Sequence, residues 1–180
     1  MKLISYTSTR PGLAGVGSLA VRLGTNSKYS HTEIVFEEGD GVDDLMPDGT
    51  TKAIDGALWC ASSTTLDTIP IYSKVRPGRK GGVRFKRIVI NPEHWMVQDI
   101  TGFFDADAVA LWFAKNQGMA YDYRGIAGYV GAVANLVFHH SDGKMSCTEA
   151  CAAALGFKES WRFHPGNFPV VIDHIINSKA

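Results

Sequence analysis

Ser146-Cys147-Thr148-Glu149 has the form of a capping box, and it constrains the fold more tightly than any other stretch of this chain. In that pattern the serine hydroxyl accepts from the Glu149 N–H while the glutamate side chain reaches back to the Ser146 N–H, so a helix begins here. Ala150, Ala152, Ala153 and Ala154 continue it. Cys147 therefore lies in the first helical turn, close to N–H groups without intrahelical partners, whose dipoles favour a thiolate and would later stabilise an oxyanion. Cysteines beside small apolar residues are usually core. Cys60, in Ala57-Leu58-Trp59-Cys60-Ala61, and Cys151, one turn after Cys147, read that way. A cysteine at an element terminus can instead face a cleft, and its chemistry depends on a base nearby.

The 180 residues suit one domain over 1–180, with a 45% apolar content large enough for a proper core. Eighteen basic and eighteen acidic side chains leave no net charge, which gives no reason to expect nucleic acid or an anionic membrane as partner. The basic run Lys74-Val75-Arg76-Pro77-Gly78-Arg79-Lys80 contains Pro and Gly and reads as a solvated loop. Three irregularly spaced cysteines argue against a disulfide framework and point to a reducing compartment. Thr7, Ser8, Thr9, Arg10 and Pro11 interrupt the opening apolar residues before a Sec signal can form, so the expectation is a cytoplasmic protein. Ile126 to Phe138 is too short to span a bilayer and reads as a buried helix.

Along the chain, Leu3 to Tyr6 reads as a strand, Arg10-Pro11-Gly12 as a turn and Leu13 to Leu23 as an amphipathic helix. Tyr29 to Phe36 is a second strand, followed by a polar excursion from Glu37 to Gly49. Strand character returns at Leu58 to Ser62 and at Gly82 to Ile90, where apolar and basic residues alternate and the basic ones are expected to face solvent. Helices then take over. Asp105 caps Ala106 to Gln117, with Val109, Ala110 and Phe113 on one face, and Asn167-Phe168-Pro169 starts a final helix with proline in its first turn. The pattern is α+β, with the strands in the N-terminal half.

A cysteine hydrolase needs an imidazole to move the thiol proton and a polar group to fix that imidazole's tautomer. His31, in Ser30-His31-Thr32-Glu33-Ile34-Val35-Phe36, lies on a predicted core strand, and the two-residue spacing puts Glu33 on the same face. His94, His139, His140 and His174 sit in loops or the last helix and read as solvated or structural. His164, before Pro165, could line a cleft. A metal hydrolase using His31 and Glu33 with His139, His140 or Asp142 has suitable residue types but no HExxH-like spacing. No metal or cofactor is therefore expected.

In order along the chain, Ser30 to Phe36, Gly81-Gly82-Val83-Arg84, Tyr121-Asp122-Tyr123-Arg124-Gly125-Ile126, Ser146-Cys147-Thr148-Glu149 and His164-Pro165-Gly166-Asn167-Phe168-Pro169 carry a resemblance. The chain resembles the circularly permuted NlpC/P60 papain-like cysteine hydrolases, the YiiX/YebB-like group of phage and bacterial proteins distantly related to lecithin:retinol acyltransferase-like enzymes. Histidine on an early strand and cysteine at a late helix start is the hallmark of the permutation. The resemblance implies a papain-like fold and a thiol protease, peptidase or amidase acting through a thioester, with Cys147 as nucleophile and His31 as base and acid. It favours bacterial cell-wall peptides as substrate, with lipid acyl esters second, and the host cytoplasm or a virion as setting for a phage-encoded member. In relatives the orienting residue commonly comes from the strand after the histidine, where this chain offers Asp55 and, further on, Ser62. Strand geometry prefers Glu33, leaving Asp55 as the alternative. Tyr121 is the expected pocket aromatic, with Ser146 and His164 as further pocket candidates, and the Cys147 N–H is one oxyanion donor, the second being unassigned.

Overall fold

The alternation of apolar and polar residues in the first hundred positions becomes a five-stranded sheet, seen in a computed structural model that describes residues 1–9, 13–71, 73, 76–123 and 143–178. The turn Arg10-Pro11-Gly12, the apolar stretch Ile126 to Phe138, and His139, His140 and Asp142 lie outside the described residues. The strands are β1 (Lys2–Tyr6), β2 (His31–Phe36), β3 (Ala57–Thr68), β4 (Lys80–Val89) and β5 (Trp95–Asp99). They run in the order β4-β3-β2-β1-β5, and every pairing is antiparallel. Four α-helices are described: α1 (Leu13–Gly24), α2 (Ala106–Asn116), α3 (Cys147–Ala154) and α4 (Phe168–Ser178). Two further strands, β6 (Ala120–Tyr121) and β7 (Lys144–Met145), form a short parallel pair. The architecture is α+β, and among the described residues no helix is long and apolar enough to cross a membrane.

One face of the sheet carries Leu3, Ile34, Phe36, Ala61, Val83 and Phe85, and on it pack Val109, Ala110 and Phe113 of α2, Ala150 and Cys151 of α3, and Phe168 and Ile172 of α4. Burying side chains of this size contributes about 1.5–3 kcal/mol each, so this layer fixes α3 on the sheet. The opposite face holds a smaller cluster of Ile4, Val35, Cys60 and Trp95. The helix signals act as read: Asp105 accepts from the Ala108 N–H at 3.1 Å, and α4 starts with Pro169 in its first turn.

One strand is added to those read from sequence, and two expectations change. Residues 95–99 form β5, in which Gln98 turns inward and donates to the Pro169 carbonyl and the Asp173 carboxylate, a tertiary partner hidden from local pattern. The Glu37 to Gly49 excursion is not wholly solvated, since Val42 and Met46 enter the main core on either side of a 3₁₀ turn at Asp43–Leu45. Finally, the basic residues of β4 do not all face solvent. Lys86 is exposed, but Arg84 is 2% exposed, and its partners lie at the candidate site.

Candidate active site

The capping box forms as the sequence requires: Ser146 Oγ accepts from the Glu149 N–H at 3.4 Å, and Glu149 Oε2 accepts from the Ser146 N–H at 3.1 Å. Ser146, the further pocket candidate, is thereby a cap whose hydroxyl accepts at the helix start. α3 is seated on β2 by Thr148, whose hydroxyl lies 3.2 Å from that of Thr32, and by the Cys151 thiol, which approaches the Thr32 carbonyl. These contacts bring Cys147 to the start of β2. There its sulfur meets His31, the Thr32 N–H and the Thr148 hydroxyl.

His31 Nε2 lies 2.9 Å from Glu33 Oε1, so Nδ1 is the ring nitrogen left for the thiol. Trp95 of β5 covers the imidazole, with ring centroids 6.3 Å apart. Burial alone would favour neutral forms of both groups. Proximity of charge wins: burial would push the Cys147 thiol up, but the His31 charge and hydrogen bond, with Thr32 and Thr148, bring it below its ordinary value. Burial would likewise push His31 down, yet the Cys147 charge, then Glu33, push it up to about 9. Each group favours the charged form of the other, so the two shifts are one coupled effect.

Glu33 is 1% exposed, and a buried carboxylate needs compensation. Arg84 supplies it with a bidentate grip, Nη1 to Oε2 at 2.9 Å and Nη2 to Oε1 at 3.0 Å. Burial would raise the Glu33 carboxyl, but Arg84 and then His31 hold it well below the usual carboxylate range. Sheet register explains the reach. Ile34 opposite Ala61 puts Glu33 level with Ser62, and Ser62 is opposite Arg84, so all three lie in one row across β2, β3 and β4. Ser62 is small and turns its hydroxyl to the Thr32 carbonyl at 2.6 Å, leaving room for the guanidinium. Arg84 Nε then donates to Asp67 at 2.8 Å, and Lys86 caps Asp67 at 2.8 Å. Asp67 lies in the irregular stretch of β3 where the register with β4 shifts between Thr64 and Thr68, and its carboxylate reaches this row.

Tyr121 of β6 brings its hydroxyl to the Cys147 sulfur; burial and the thiolate charge push its own ionisation well above the ordinary value, so the O–H stays a donor. Two glycines permit this approach. Gly82, at φ +136, has no room for a side chain because a Cβ would stand 2.2 Å from the Met119 carbonyl oxygen, and a Cβ on Gly81 would meet the Tyr123 hydroxyl at 3.1 Å.

The structure therefore brings together Cys147, His31, Glu33 and Tyr121 and leaves Asp55 elsewhere. Asp55 is exposed in a left-handed turn before β3, at the end of the sheet remote from His31, which corrects it as an orienter. His164 accepts from the Gly166 N–H at 3.1 Å in the loop leading into α4. Cys60 and Cys151 are buried, and burial pushes both thiols up. Both carboxylate oxygens of Glu33 are committed to Arg84 and His31, which makes it a poor metal ligand.

Arg84, Asp67, Thr32, Thr148 and Trp95 were not read as site residues from sequence. Arg84 stood in the quoted Gly81-Gly82-Val83-Arg84 motif, but its role depends on strand register. No protein-family model matches the chain, and neither a curated protein nor a solved structure matches it.

Proposed function

We propose that the protein is a cysteine hydrolase, a peptidase or amidase of the circularly permuted NlpC/P60 papain-like type, cleaving an amide or ester through a thioester. The carrying observation is the line from Cys147 through His31 to Glu33, with the Glu33 contact on Nε2 and the thiol left to Nδ1. In acylation the Cys147 thiolate attacks the carbonyl carbon, and the oxyanion is met by the Cys147 N–H at the helix start and by the Tyr121 hydroxyl as second donor. The intermediate collapses as His31 Nδ1–H protonates the departing amine or alcohol, leaving a thioester and neutral His31. Water then attacks the thioester and gives one proton to Nδ1. The C–S bond breaks, the acid product leaves, and the thiolate–imidazolium pair is restored.

Cell-wall peptides are the favoured substrate class and lipid acyl esters the second, on the family resemblance alone. The test is p-nitrophenyl acetate turnover by wild type and Cys147→Ala. A burst of one p-nitrophenolate per protein, absent from Cys147→Ala, supports the reading; equal turnover by both contradicts it. A non-catalytic papain-like binding protein, or a virion-associated one, is favoured by a different observation, the 2% exposure of Cys147. It predicts no burst and a Cys147 thiol that alkylates no faster than an ordinary one.

A further inference from the structure

In the deacylation half of the cycle the thiolate charge is gone, because sulfur is bound in the thioester, and neutral His31 must take a proton from water. What faces the His31–Glu33 pair then decides how basic it is. Arg84 of β4 grips both Glu33 oxygens, and Asp67 of β3 holds Arg84 Nε, with Lys86 beyond it. The other groups facing Glu33 are the Cys60 and Cys151 thiols, from β3 and α3, both uncharged because burial pushes them up. Around His31 stand Cys147, Tyr121 beyond it, Tyr6 of β1 opposite it in the sheet and the Trp95 ring.

We propose that Arg84 and Asp67 are positioning residues that set, in opposite directions, how readily His31 releases its proton for the deacylation step. The inference rests on the cysteine hydrolase reading and adds a device to it. With His31 neutral, the pair carries the single negative charge of Glu33, buried among apolar neighbours. Uncompensated, such a pair retains a proton, either as imidazolium with carboxylate or with the proton on Glu33 and the ring proton on Nδ1. Both forms block Nδ1 as a base. The Arg84 guanidinium cancels the charge and keeps Glu33 an acceptor, so the remaining ring proton stays on Nε2 and Nδ1 faces the water. Asp67 is partly exposed and one contact further away, and it draws off part of the Arg84 charge.

The sign follows for each variant. Arg84→Met makes the pair hold its proton more tightly, and the acid limb of steady-state p-nitrophenyl acetate turnover moves up by about one pH unit or more, as for a buried carboxylate losing its cation. Arg84→Lys keeps the charge and loses the fork, so the limb stays while the plateau rate falls about tenfold. Asp67→Asn moves the limb the other way, down by a few tenths of a unit. A purely architectural role for the row lowers rates without displacing the limb, and an unmoved limb in both Arg84→Met and Asp67→Asn would overturn the proposal. Should Arg84→Met fail to fold, a downward shift in Asp67→Asn supports the proposal and an upward or absent one overturns it.

A second measurement does not depend on turnover. In ¹⁵N-histidine-labelled Cys147→Ala, which lacks the thiolate as the acyl-enzyme does, neutral His31 should be the Nε2–H tautomer, and Asp67→Asn in that background should lower its titration midpoint. An Nδ1–H tautomer overturns the proposal. The expected tautomer combined with no burst from wild type would instead overturn only the hydrolase reading.

Discussion

His31 and Glu33 are two residues apart on one strand, and Glu33 Oε1 stands 2.9 Å from His31 Nε2 while Arg84 donates to both Glu33 oxygens. In Glu33→Gln the carboxylate charge is lost and an NH₂ replaces one of two oxygens to which Arg84 only donates, so the contact that keeps the ring proton on Nε2 is disrupted. The ring proton is then free to sit on Nδ1, where it blocks the base. Turnover of p-nitrophenyl acetate should fall by about 10³–10⁴-fold, the scale of a wrong histidine tautomer. A loss under tenfold would remove Glu33 from the role.

Tyr121→Phe separates thiolate formation from oxyanion stabilisation. The hydroxyl touches the Cys147 sulfur, but the His31 charge is the leading influence that ionises it. Iodoacetamide alkylation of Cys147 should stay within about threefold of wild type, while hydrolysis drops by about 10²–10³-fold as for loss of one oxyanion donor. Parallel losses in both would make Tyr121 a packing residue.

The pH dependence has a definite sign. Cys147 ionises below the ordinary thiol range, and His31 keeps its proton up to about 9. Alkylation, which needs only the thiolate, should not fall as pH rises through about 9. Cleavage of an acyl p-nitroanilide needs the His31 proton for its leaving group and should fall as pH rises through about 9. The two profiles measured on one preparation check this divergence.

Gly82→Ala places a methyl group against the Met119 carbonyl, at a φ that favours glycine. Urea unfolding should show a loss of about 3 kcal/mol or more, combining backbone strain and overpacking. The Met119 segment leads directly into Tyr121, so hydrolysis by the folded fraction should also fall.

Much of this arrangement was legible in the sequence where local physics decides it. The capping box fixed the α3 start because its four residues satisfy one another. The period of two placed His31 and Glu33 on one face for the same kind of reason. Arg84 defeated the reading because alternation only says that it shares a face with Lys86; whether that face is water or a buried carboxylate depends on β2 and β3 lying beside it. Asp67 was hidden further by lying in the irregular stretch of β3 between Thr64 and Thr68, and Trp95 by lying in a strand whose inward contacts are made by distant residues. Tyr121 was singled out as an aromatic near the cleft, but its hydroxyl contact depends on Gly81 and Gly82 admitting the chain.

The central claim is that His31 makes Cys147 a thiolate. It is tested most directly by intact-mass kinetics of limiting iodoacetamide at pH 7, comparing wild type with His31→Ala. An activated pair gives a single adduct, mapped to Cys147, with Cys60 and Cys151 unlabelled, and a rate at least about tenfold above His31→Ala. Equal rates in the two proteins, or labelling spread over all three cysteines, would contradict it.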